Sequence, residues 1–147
     1  MPEQRGADGA PLPPEAVVFR LGESLNGKIP EQAFRLSSED RKQIPPKLSV
    51  WDKDQTTPPQ AHELMGKSPR YALAGYMPVV SIRSVVDGAG GELPLDVVWD
   101  HDDRLGAGGH CGVVGLDGPD TKQAKERRAQ LRRILADLAN ERVTPIC

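Results

Sequence analysis

The sequence predicts an α+β fold: a small mixed or antiparallel sheet with one long C-terminal helix and one short helix packed on a face. Three observations predict it. Short alternating or β-branched runs recur between glycine and proline turns. A capped helical segment opens at Thr57. One long amphipathic stretch lies near the C-terminus. With 147 residues, the chain is one ordinary domain. Residues 1–14, rich in proline and glycine, read as a disordered leader, and 15–147 as the single domain.

The elements follow in order. Val17, Val18 and Phe19 form a β-type run that ends at Gly22. Asn26-Gly27 is a turn dipeptide. Ser37 or Ser38 would cap one short helical turn, closed by Pro45-Pro46. Leu48, Val50 and Asp52 alternate with Ser49 and Trp51, a short strand. Thr57-Pro58-Pro59-Gln60 supplies an N-cap hydroxyl, proline at the first helical position and Gln three residues after the cap. Gly66 stops that helix. Tyr71–Val86 carries Pro78 in its middle, and the residues that follow fit a second strand or a short helix, with the β-branched content favouring strand. Asp87–Glu92 is a turn, and Leu95–Trp99 and Cys111–Leu116 are strands. Asp120 or Thr121 caps the last helix, whose apolar side is Ala124, Leu131, Ile134, Leu135 and Leu138 and which ends near Glu141.

Composition excludes several function classes. Lys and Arg total 19 against 21 Asp and Glu, so net charge gives no pull toward nucleic acid or an anionic membrane. The most apolar window, Tyr71–Val80, is about half a transmembrane span. No secretory signal is present, and two cysteines fit a reducing compartment, so the expected location is cytoplasmic.

The densest polar stretch is Asp100-His101-Asp102-Asp103, followed by the glycine-rich GAGGHCG. Imidazole, thiolate and carboxylate are zinc ligands, but zinc sites pair their ligands at fixed short spacing, which is absent here. His110 and Cys111 are neighbours in a strand and point to opposite faces, so they do not chelate one ion. No metal and no cofactor is expected. The glycines fit neither a phosphate-loop nor a dinucleotide pattern. Cys111 as a nucleophile would need His62, His101 or His110 as a base, with Asp100 nearby; at the head of an apolar run, it reads instead as a buried small hydrophobe. Arg20, Ser49 and then Glu63 or Glu92 resemble, in order alone and not in spacing, the arginine, serine, glutamate order of some ADP-ribosyltransferases.

Lys125, Arg128, Arg132 and Arg133 lie in a basic run with no interleaved aromatic residue to stack on bases. They are the candidate partner-binding residues. The expected function is a non-enzymatic protein-interaction module: an accessory or regulatory partner, binding another protein of acidic character in a bacterial-type complex such as a toxin, protease or nuclease system. The alternative is a small enzyme, a Cys-dependent hydrolase or a nucleotide-using transferase, with its site in the 100–112 loop.

Overall fold

Alternation along each strand sorts the side chains onto two faces of one six-stranded antiparallel sheet, ordered β4-β5-β2-β1-β3-β6. The strands are β1 (Val17–Gly22), β2 (Leu48–Asp52), β3 (Leu73–Pro78), β4 (Asp96–Trp99), β5 (His110–Val114) and β6 (Val143–Pro145). The helices are α1 (Ser38–Arg41), α2 (Pro58–Leu64), α3 (Val79–Arg83) and α4 (Lys122–Asn140), with a 3-10 turn at Glu31–Phe34. This computed structural model describes residues 7–43, 45–85, 95–101, 109–117 and 121–146. The turn at Asp87–Glu92, the loop residues Asp102, Asp103, Gly106 and Gly108, the cap candidate Asp120, and Cys147 lie outside the described residues.

One face is aliphatic. Val18, Val50, Val97, Cys111 and Val113 meet Leu131, Leu135, Ala136 and Ala139 of α4 there. Burying a side chain such as Leu135 contributes roughly 1.5–3 kcal/mol. The helix comes close to β3 because Gly75 has no side chain: a Cβ at that position would stand 2.8 Å from the Ala139 Cβ. The other face carries Phe19, Leu21, Trp51 and Ala74, covered by Ala61 of α2 and by Ile146.

The local signals explain the helix ends. Thr57 and Gln60 exchange hydrogen bonds, Thr57 N to Gln60 Oε1 at 2.9 Å and Gln60 N to Thr57 Oγ1 at 3.3 Å. The Thr121 hydroxyl accepts from Ala124 N at 3.2 Å. Ser37 and Asp40 form a second reciprocal cap before α1. Asn26 and Gly27 both have positive φ, as a two-residue hairpin turn with right-handed strand twist requires.

Two expectations need correction, and one element was not foreseen. The second half of the leader is docked: Gly9 N and Leu12 N donate to Trp99 O and Val97 O, Ala10 O accepts from Trp99 N, and Leu12 is buried in the core. Composition hid this, because one leucine and a row of backbone groups suffice to cover the open edge of β4. Val79–Arg83 is a helix and not a second strand. Pro78 ends β3 in an extended conformation, and Val79 and Ile82 are buried at helical spacing. The C-terminal tail returns to the sheet, where β6 pairs with β3 and Ile146 N donates to Ala72 O.

Candidate functional site

The site begins with a break in the sheet. β1 pairs with β3 along all six residues, from Val17↔Pro78 to Gly22↔Leu73. With β2 it makes only two pairs, Val18↔Asp52 and Phe19↔Trp51. Beyond Phe19 the two strands separate, and the Arg20 side chain bridges the gap. Its Nε donates to Ala33 O at 2.7 Å and its NH1 to Ser49 O at 2.6 Å. The guanidinium carbon stands 6.0 Å from the centre of the Phe34 ring. Burial pushes the Arg20 pKa down and the carboxylate of Asp40 raises it again. A guanidinium stays charged through such shifts and has five N–H groups. Two serve the carbonyls, and the group lines a cleft of about 190 Å³.

Arg35, Arg70, Asp40, Ser49 and Tyr71 line the same cleft. Arg70 pairs with Glu23 across an exposed 3.4 Å contact and lies over the Tyr71 ring at 5.9 Å. The positive field extends past the cleft. Burial lowers the Arg132 pKa, and the charges of Arg35, Arg128 and Arg41 push it the same way while Glu31 opposes them. Three cationic side chains, Arg20, Arg35 and Arg70, and two carboxylates, Glu23 and Asp40, border the opening.

The floor of the fork is polar as well. Ser49 lies on the face of β2 opposite Leu48 and Val50, diagonal to His110 of β5. His110 Nε2 is 3.1 Å from Ser49 Oγ. His110 Nδ1 is 3.2 Å from Asp100 O and 3.4 Å from Asp100 Oδ2. Both Asp100 atoms accept, so Nδ1 carries the proton. In the neutral ring Nε2 is then an acceptor, and the Ser49 hydroxyl donates to it. The ring meets Trp51 edge-on, centres 4.8 Å apart, and is fully buried. Ser49 of β2, His110 of β5 and Asp100, the residue after β4, thus form one polar line, which Arg20 of β1 joins through the Ser49 carbonyl.

The structure separates the other candidates. Cys111 is buried on the aliphatic face, turned away from His110, with Sγ 3.3 Å from Gly109 O. His62 sits on α2 with Nε2 2.8 Å from Ser68 O. The His101 backbone N–H donates to Asp8 Oδ1 at 3.0 Å. Among the described residues, no group of three His, Cys, Asp or Glu is placed to hold a metal ion.

The basic run on α4 divides. Arg128 is buried, a correction to its place among the partner-binding residues. Its spacing from Ala124 and Leu131 puts it on the packing face itself. Arg133 Nε lies 3.5 Å from Glu31 Oε2, Arg132 is half-buried, and Lys125 is exposed. Arg20 and Ser49 were missed as a pair. Their order in the chain was visible, but the opening between β1 and β2 is a property of the pairing. Glu63, the acid of the ADP-ribosyltransferase-like order, stands on the exposed side of α2 near Lys67, and Glu92 lies outside the described residues. Asn140 was missed too: its amide takes both backbone groups of Ile29, at 2.8 and 2.9 Å, and fixes α4 to the loop before the 3-10 turn.

No family model matches the chain, and neither a curated protein nor a solved structure matches it. Among the described residues no helix is long and apolar enough to cross a membrane.

Proposed function

We propose that the chain is a recognition module that takes an anionic group of a protein partner in the cleft between β1 and β2. One observation carries the reading: Arg20 is held by two backbone carbonyls at the wall of a cleft that Arg35 and Arg70 also line. A guanidinium already fixed in place loses little freedom when it binds a carboxylate, which favours tight and oriented contacts. Lys125, Arg132 and Arg133 then act at longer range, drawing an acidic partner toward the opening. The expected setting is a cytoplasmic bacterial-type complex, in which the chain is an accessory or regulatory component. The small-enzyme alternative is favoured by a separate observation, the Ser49–His110–Asp100 line.

The test is titration of a fluorescein-labelled peptide rich in Asp and Glu. Arg35→Glu with Arg70→Glu changes two exposed cations and leaves the fold in place. The double variant is expected to lose at least about tenfold in affinity, with a slower association rate. Equal binding by both proteins overturns the reading. Stronger binding of duplex DNA than of the peptide, with a steep salt dependence, replaces the protein partner by nucleic acid.

A further inference from the structure

We propose that Ser49 is a nucleophile for hydrolysis of small esters that carry an anionic group, with His110 as its base and Asp100 as the positioning residue. The preference for an anionic substrate rests on the cleft reading above; the nucleophile itself rests on the polar line alone.

Three features of that line support the chemistry. Its direction is set by geometry: two Asp100 oxygens face Nδ1, which puts the ring proton there, and the Ser49 hydroxyl faces Nε2 at 3.1 Å. Its groups are buried, with side-chain exposure of 1% for His110 and 12% for Asp100, so water screens the Asp100 carboxylate weakly as positive charge develops on the ring. Its geometry is stiff. Trp51 holds the ring edge-on, Ser49 and His110 sit on the adjacent strands β2 and β5, and Asp100 directly follows β4. Ser49 is the one of the three that lines the cleft. Arg20 donates to Ser49's own carbonyl oxygen and so fixes the backbone that carries the hydroxyl.

The reaction balances with water as the second substrate. Ser49 Oγ bonds to the ester carbonyl carbon while its proton passes to His110 Nε2. The tetrahedral centre collapses, the carbon–alkoxide bond breaks, and Nε2 returns the proton to the leaving oxygen. Water then attacks the acyl-serine, again through Nε2, and releases the acid and the free hydroxyl. A cleft of about 190 Å³ admits only a small acyl group. That is below the span of a drug-sized pocket, which starts at about 300 Å³.

The experiment treats the folded full chain with an alkyl fluorophosphonate and reads intact mass and the labelled peptide. It also follows release of p-nitrophenol from p-nitrophenyl acetate and from the mono-p-nitrophenyl ester of succinic acid. One phosphonyl adduct at Ser49 is expected, with turnover of both esters and a higher kcat/KM for the succinyl ester. Ser49→Ala should remove the adduct and the turnover. Asp100→Asn should lower the rate by about 10²–10⁴ and change the pH profile, which a purely structural role of Asp100 would not do. Labelling of the exposed Ser24 or Ser37 in preference to Ser49 on wild-type protein overturns the proposal, as does an unchanged rate and pH profile in folded Asp100→Asn. Wild-type labelling needs no variant to fold. Peptide binding without Ser49 labelling removes the nucleophile and keeps the cleft; labelling without peptide binding supports the nucleophile and removes the cleft reading.

Discussion

The two faces of the sheet are built from the same strands and differ in kind. Toward α4, the side chains are aliphatic and the contact is wide, from Leu12 of the leader to Ala139 of the last helix. Toward α2, the buried apolar cluster is small, Phe19, Leu21, Trp51, Ala61, Ala74 and Ile146, and His110 lies against it. The first face holds the fold by burial. The second spends part of its interior on hydrogen-bonded polar groups, which contribute little net stability and cost much if left unpaired. The cleft and the polar line therefore lie beside the smaller of the two cores.

That contrast is broken most directly at Leu135, which is fully buried between α4 and the sheet. Leu135→Ala is expected to cost about 2–5 kcal/mol in denaturant unfolding, by lost burial and the cavity left behind. A loss below about 1 kcal/mol would mean that the aliphatic face does not carry the fold. A smaller effect is expected on the other face. Thr57→Ala removes one half of the reciprocal cap on α2 and should cost about 1 kcal/mol. A neutral result would mean that packing of Ala61, and not the cap, seats α2.

Periodicity made most of the fold legible. The apolar stripe of α4, the alternation of β2 and the Thr57 cap are signals confined to one segment, and the expected elements appear at those places. What stayed hidden depends on pairing between distant segments. The leader was illegible because its role is to lay backbone groups along β4 with a single buried leucine. β6 is three residues long and contains Pro145, so no local pattern announces it. The site was half legible. Asp100 and His110 stood out as polar residues beside a glycine-rich loop. Ser49 did not, because a serine in an alternating strand reads as a surface position. Arg20 acquires its place only because β1 leaves β2 after two pairs. Arg128 was misassigned despite a usable signal, since its spacing from Ala124 and Leu131 already pointed inward.

Asp52 sharpens the comparison from the aliphatic side, with the smallest expected effect. It ends β2 on the same face as Leu48 and Val50, and it is buried. Burial pushes its carboxyl pKa up, against opposing hydrogen bonds from the Asp54 backbone and the Gln55 side chain. The unfolded group titrates near its ordinary value of about 3.9. Between that value and the raised one, the native state binds more protons than the unfolded state, so stability falls as pH rises. The charged group's cost is fully present above the folded pKa and disappears as pH drops through it toward the unfolded one. Asp52→Asn keeps the shape and removes the charge. At pH 7 it should match or exceed the wild type in urea unfolding, by less than about 1 kcal/mol, because the hydrogen bonds from Asp54 and Gln55 offset part of the desolvation. At pH 4 the difference should shrink. A variant clearly less stable at pH 7 would show that the hydrogen bonds to Asp54 and Gln55 outweigh desolvation, and that the aliphatic face accepts a charge at its border as readily as the opposite face accepts its polar line.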